Sequence, residues 1–149
     1  MNFEEALKKL DEGKKVKLPE WQGHWFQKGN QIFVEARTGD ILDTPFMEDY
    51  KNRTDWEETN GLRDFGGALT AVKHGKKIAR QGWNGKGMFA FMVNGSKFQV
   101  SRAPLNEIYP EGTEVEYRPH IDLKAADGTI GVWNPNMMDI LAEDWQIVE

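Results

Sequence analysis

The chain has 149 residues, 39% apolar and 29% charged, with a net charge of −5 and no cysteine. That length holds one domain or two very small ones, and the composition is that of a folded soluble protein, not a disordered one. It excludes a disulfide framework, a thiolate nucleophile and a cysteine-ligated zinc. A net acidic chain also lacks the broad positive field that a binder of polymeric nucleic acid needs. No apolar run approaches the ~20 residues of a membrane helix, so no membrane partner is expected. The opening MNFEEALKKL lacks the basic-then-apolar order of a signal peptide, which makes the cytosol the expected location.

In chain order, Phe3, Ala6, Leu7 and Leu10 fall at helical spacing, with Asn2 as N-cap and Gly13 as the closing glycine. KKVKL then reads as a short strand, and HWFQKGNQIFVEA as a hairpin turning at Lys28-Gly29-Asn30. The segment 43–60 is polar and acidic, with a weak closing strand at RTDWEET. A second helix is predicted from Phe65, Ala68, Leu69 and Val72, capped by Asp64 and ended by Gly75. KKIAR reads as a strand, GMFAFMVNGSKFQV as a hairpin turning at Asn94-Gly95, and residues 101–120, with three prolines, as a long loop. The Asp-Gly-Thr of AADGTIGVW makes a further turn, and AEDWQIVE a closing strand.

This order repeats. At an offset of 62, Phe3, Ala6, Leu7, Gly13, Lys14, Lys15, Trp21 and Gly23 match Phe65, Ala68, Leu69, Gly75, Lys76, Lys77, Trp83 and Gly85. At an offset of 89, Ala36, Gly39, Ile41, Asp55 and Trp56 match Ala125, Gly128, Ile130, Asp144 and Trp145. The expected organisation is a tandem duplication: a degenerate unit over 1–62, and a complete unit over 63–149 whose GW motif and Asp-Gly turn are separated by 27 extra residues, the difference between the offsets. The fold class is α+β, each unit a short N-terminal helix packed on a small, mainly antiparallel sheet.

Charge is uneven. From Phe65 to Arg102 there is no acid and there are seven bases, whereas from Ala103 onward there are ten acids and two bases. Such a basic zone in an acidic protein suits a small anionic ligand better than a polymer; it also fits a solvated face neutralised across the fold. Enzyme signatures are thin. Ser96 and Ser101 are the only serines and neither sits in a nucleophile elbow, and no Walker or Rossmann glycine loop is present. His120 and Asp122, two apart, share one face of an extended segment, where they fit a metal pair, an acid–base pair, contacts to ligand hydroxyls, or a plain surface network. Two ligands fall short of a zinc site, so no metal, cofactor or catalytic group is expected.

Six tryptophans are more telling. Trp56 and Trp145 read as core. Trp83 precedes Asn84, Gly85, Lys86, Gly87 and Met88, so an aromatic face stands beside backbone amides and a cation, as a purine nucleotide requires, with Trp133 as a second face. The alternative is that Trp-Asn-Gly is only a turn.

The stretches FGGALTAVKHGKKIARQGWNGKGMFAFMV, RAPLNEIYPEGTEVEYRPHIDLKAADGTIGVW and MMDILAEDWQIV resemble the Thoeris anti-defence two family of phage and prophage proteins. That resemblance implies a sponge: an oligomer that binds immune cyclic nucleotides without cleaving them, in pockets near protomer contacts. The implied ligands are cyclic ADP-ribose isomers made by TIR enzymes and cyclic dinucleotides made by CBASS synthases. Carried onto this sequence, Trp83 stacks on a base and the amides near Asn84 and Gly85 bind its edges. Lys86 with Arg102 offsets phosphate charge, Arg118, His120 and Asp122 contact ribose or phosphate, and Met88 and Pro119 complete the lining. Residues 1–62 match only in part, so a fused pair is expected, with the N-terminal unit standing in for a partner and the whole chain forming a homo-oligomer, a dimer of fused chains. The rival readings are a phosphodiesterase acting through His120 and Asp122, and an inhibitor that binds an immune effector directly.

Overall fold

The computed structural model describes residues 1–149. Asn2 caps helix α1 (Phe3–Asp11): its side chain accepts from the Glu5 amide at 2.9 Å, while the Glu5 carboxylate accepts from the Asn2 amide at 2.8 Å. Phe3, Ala6 and Leu10 are the buried stripe. Then follow β1 (Lys15–Lys17), β2 (His24–Lys28), β3 (Gln31–Glu35), β4 (Ile41–Leu42) and, after a 3₁₀ turn at Met47–Asp49, β5 (Glu57–Thr59). Gly29, at φ +63°, makes the β2–β3 turn, and α1 packs Phe3 and Leu10 against Val16, Leu18, Trp25 and Trp56.

Asp64 caps α2 (Phe65–Lys73), its carboxylate accepting from the Gly67 amide at 2.8 Å. The elements β6 (Lys77–Arg80), β7 (Phe89–Val93), β8 (Ser96–Gln99), β9 (Glu114–Tyr117), β10 (His120–Lys124) and β11 (Ile130–Val132) precede helix α3 (Met137–Leu141) and β12 (Trp145–Val148). A second core forms from Ala68, Ala71, Val72, Ile78, Ala90, Trp133 and Trp145. The fold is therefore α+β and antiparallel, with two five-stranded sheets and a two-stranded arm.

The sheets run β4-β3-β2-β1-β5 and β11-β10-β7-β6-β12. Their registers correspond. Val16 pairs with Trp25 and Glu58 in the first, and Ile78 with Ala90 and Ile147 in the second. Trp25 pairs with Val34 and Ala90 with Leu123. The offset between matched positions is thus 62 at Val16/Ile78, 65 at Trp25/Ala90 and 89 at Val34/Leu123. The extra residues of the second sheet's half fall in two places, three in the loop after Trp83 and the rest between β7 and β10.

That second place differs from the sequence expectation. The chain does not turn at Asn94-Gly95. Val93 pairs with His120 and Ser96 with Tyr117, so β8 and β9 continue the β7–β10 hairpin in the same register across a break of two residues on each strand. The cause is local. Pro119 has no amide to give the ladder, and a side chain on Gly95 would collide with the Tyr117 carbonyl and the Pro119 ring. The proline-rich loop is accordingly shorter than 101–120, because Glu114–Tyr117 is strand and Leu105–Glu107 a 3₁₀ turn. Helix α3 is also unheralded by apolar spacing. It is held by a capping box in which Asn136 accepts from the Asp139 amide at 2.8 Å.

One residue ties the sheets together. The Arg63 backbone bonds both ways to Trp145 at 2.8 and 3.0 Å, extending the edge beside β12. Its buried guanidinium reaches β3 and the turn after it, donating to Glu35 Oε2 (3.1 Å), the Ala36 carbonyl (2.8 Å) and the Arg37 carbonyl (2.6 Å). Nearby, Asp40 pairs with Lys76 and His74, both at 2.9 Å. Truncation of a buried, hydrogen-bonded ion leaves its partners unsatisfied, so Arg63→Ala is expected to cost ~3–5 kcal/mol in urea unfolding. His24 sits beside this junction, 3.4 Å from Glu35, and burial, reinforced by Lys15 and Arg63, pushes its imidazole down to about 4. The unfolded chain then binds a proton that the fold refuses. Stability is full above about pH 6.5 and falls as pH drops toward about 4. Replacing His24 by Gln is expected to flatten that slope in thermal melts across the interval.

Candidate functional site

Residues 81–88 are held by a carboxylate clamp. Asp139, buried at the start of α3, accepts from the Trp83 indole at 3.2 Å and from Arg80 at 3.1 Å. Asp144 accepts from Arg80 at 2.9 Å and from the Gly82 amide at 2.8 Å. The Arg80 guanidinium holds the Asp144 carboxyl below the usual range, and the two carboxylates raise Arg80 in turn. Trp83 is half-buried, edge-on to Trp145 (5.4 Å) and Trp133 (6.3 Å). Past it, Asn84 and Lys86 are exposed, and Gly85 is closed over by Met88 and Ala126.

Beside this loop lies the uncovered face of the second sheet. Ala90, Ile121 and Leu123 point into the core under α2, so by strand alternation Phe89, Phe91 and Val93 of β7, with His120, Asp122 and Lys124 of β10, face outward. Cross-strand pairs set Val93 by His120, Phe91 by Asp122 and Phe89 by Lys124. Two ammonium groups approach the Phe89 ring, Lys77 at 4.9 Å and Lys124 at 5.4 Å from its centroid. Lys124 also donates to the Gly87 carbonyl at 3.2 Å, joining the face to the loop. The His120 Nε2 stands 3.2 Å from Asp122 Oδ1. Beyond the break, the arm bears a cleft of about 540 Å³ lined by Phe98, Arg102, Pro104, Leu105 and Tyr117 among others.

The expected residues therefore fall in two groups at opposite ends of β10. Trp83, Asn84, Gly85, Lys86 and Met88 gather at its Lys124 end, while Arg118, Pro119 and His120 stand at the other, with Asp122 between and Arg102 farther out on the arm. Four residues of strand separate the ends by ~13 Å. No group of three or more His, Cys, Asp or Glu side chains is placed to hold a metal, and no helix is long and apolar enough to cross a membrane.

Comparison with known proteins bears on this half of the chain. The Thoeris anti-defense 2-like domain model matches residues 63–148. The chain belongs to that family. It is also similar to Thoeris anti-defense 2 of Bacillus phage SP01, 38% identical over 85 residues that make up 56% of this chain and 92% of that protein. An anti-defence role comes with the membership. The family domain comprises α2, the second sheet, the arm and α3, while residues 1–62 lie outside the match.

Within the family domain, one expectation needs correction. Trp133 is only 9% exposed and packs on Phe65, Trp83 and Trp145, so it backs Trp83 and offers no second stacking face. Three residues went unread in the sequence, Phe89, Phe91 and Lys124, whereas Lys77 entered only as one base of the basic zone. Their signal was the period-two alternation of FAFMV and HIDLK, which puts aromatic and charged side chains on one sheet face once the strands pair. Asp139 was missed because its role depends on a five-residue helix. Removing its carboxylate strands the Trp83 indole and part of Arg80, so Asp139→Ala is expected to cost ~2–3 kcal/mol, with a shift in tryptophan fluorescence as Trp83 loosens.

Proposed function

We propose that this protein is a sponge that sequesters immune cyclic nucleotides, cyclic ADP-ribose isomers or CBASS cyclic dinucleotides, without cleaving them. The observation that carries the reading is the outward face of the family domain, where flat aromatic rings stand among cations beside a rigid, amide-rich loop. Base stacking falls to Phe91 and the open side of Trp83, edge recognition to the Asn84 and Gly85 amides, and phosphate to Lys77, Lys86 and Lys124. Arg118 and His120 serve the ribose or a second phosphate, with Asp122 orienting the imidazole, and the arm brings Arg102 over the ligand. The ~13 Å between the two groups of residues is a span that a cyclic dinucleotide-sized molecule bridges and a single base does not.

Sequestration requires affinity and slow release, and nanomolar binding corresponds to about −12 kcal/mol. Such affinity calls for a more enclosed site than one open sheet face. A second copy of the chain supplies the missing wall in this reading. Ile130 and Val132 on edge strand β11 are 59% and 66% exposed, and Met138 and Leu141 on α3 are each 72% exposed. These apolar positions, Ile130 and Val132 on the ligand face opposite Lys124 and Asp122, and Met138 and Leu141 on the helix side of the sheet, are where the copies meet. The N-terminal unit, built on the same strand order, stands in for a family partner within the chain. The site of action is the cytosol of the infected cell.

Titration calorimetry against cyclic ADP-ribose isomers and cyclic dinucleotides, with linear ADP-ribose as control, is expected to show tight binding of a cyclic species. Heating the complex should return that species at unchanged mass; a changed mass would establish a phosphodiesterase. The double variant Asn84→Ala/Lys124→Glu should weaken binding by ~100-fold or more, since two charge-assisted or amide contacts are lost, without changing the melting temperature greatly. Light scattering should give a mass of at least two chains, and Leu141→Glu should reduce it.

A further inference from the structure

The first unit carries a cavity of its own, of about 430 Å³, between the inner side of its sheet and the segment 42–50. The volume is that of a small-molecule site. Its walls are aromatic and meet at right angles: Tyr50 stands edge-on to Trp21 (87°, 5.4 Å) and to Trp25 (89°, 5.1 Å). Phe46, 70% exposed, lines the cavity on the side of that segment.

The corresponding corner of the family domain is built differently. In matched register Tyr50 replaces Asp139 and Leu18 replaces Arg80. The polar clamp that fastens Trp83 is thereby exchanged for rings. Charge changes sign as well. Glu20, Glu35 and Asp43 line the cavity against Arg37 and against His24, whose imidazole burial pushes down to about 4, and the covering stretch from Asp43 to Glu58 holds six carboxylates to two bases. Arg53 answers Glu20 and Arg63 answers Glu35, while Asp43 belongs to no ion pair. Arg37 is likewise in no ion pair, so the excess of negative charge comes from the covering stretch. A corner of perpendicular π-faces beside a carboxylate is the environment that attracts an alkylated ammonium ion.

We propose that this cavity is a second, independent binding site, for a small organic cation of the alkylammonium class. Trp21 and Tyr50 present ring faces to the cation, Phe46 closes over its alkyl groups, and Asp43 supplies the counter-charge. The site goes beyond the sponge reading and shares no residue with it.

The test is titration of the full chain with choline, followed by tryptophan fluorescence and calorimetry. Its uncharged isostere 3,3-dimethylbutan-1-ol and the anion AMP serve as comparison probes. Choline is expected to give a saturable change, and the alcohol to bind at least about tenfold more weakly, because it keeps the shape and loses the charge. Phe46→Ala and Asp43→Asn, both at exposed side chains, should each weaken choline binding several-fold while leaving the melting temperature and any cyclic-nucleotide affinity unchanged. Absence of a saturable response to millimolar choline overturns the proposal. So does an alcohol that binds as well as choline, or AMP occupying the cavity in its place. Since the readout depends on residues outside 63–148, its failure leaves the sponge reading standing, and the reverse holds too.

Discussion

Everything in this molecule is registered against one buried guanidinium. Arg63 lends its backbone to the edge of one sheet and its side chain to carbonyls and a carboxylate of the other, so neither half shifts without breaking bonds that water does not replace. Two five-stranded units, each with a small core of its own, meet at this residue. Asp40 with His74 and Lys76 adds an exposed rim to that seam, where charge contributes less.

The two halves carry different side chains on one plan. Strand order and register are alike, yet the helix–sheet corner of each is built from different groups. With Asp139 and Arg80 in place, the corner is a hydrogen-bonded clamp and the loop above it is stiff, which suits presenting amides to a ligand. With Tyr50 and Leu18, the same corner is a nest of rings, in which the buried Trp56 indole has no acceptor whereas its counterpart Trp145 donates to the Asp139 carbonyl. The first unit, without those polar groups, has a cavity at this corner.

Much of the fold was legible because its determinants are local. Apolar spacing at Phe3, Ala6 and Leu10, the caps Asn2 and Asp64, and the positive-φ glycines Gly13 and Gly75 are each read from a few adjacent residues. Trp56 and Trp145 were recognisable as core from their equivalent places in the two copies, each directly after an Asp. What stayed hidden was set by pairing. The dipeptide Asn94-Gly95 has turn chemistry, yet the chain runs straight through it, because Gly95 is needed for the close approach of the facing Arg118-Pro119 strand. Trp133 carries the same indole as Trp83, and only the α2–α3 packing above it makes one core and the other half-exposed. At the candidate site, the loop residues stand out in the sequence by their composition, whereas Phe91 and Lys124 acquire meaning only through their neighbours on adjacent strands.

The uninterrupted register across the broken hairpin has a consequence for how such proteins vary. Since the arm stays in phase with the sheet beneath it, adding or removing two residues on each strand changes its reach by one repeat of the pleat and keeps every side chain on its own side. A change of one residue would instead exchange the two faces, moving Lys97 and Glu116 to where Phe98 and Val115 now lie. Reach and chemistry are therefore separately adjustable: the arm behaves as a ruler graduated in pairs, lengthened or shortened without redesign of the surface it carries.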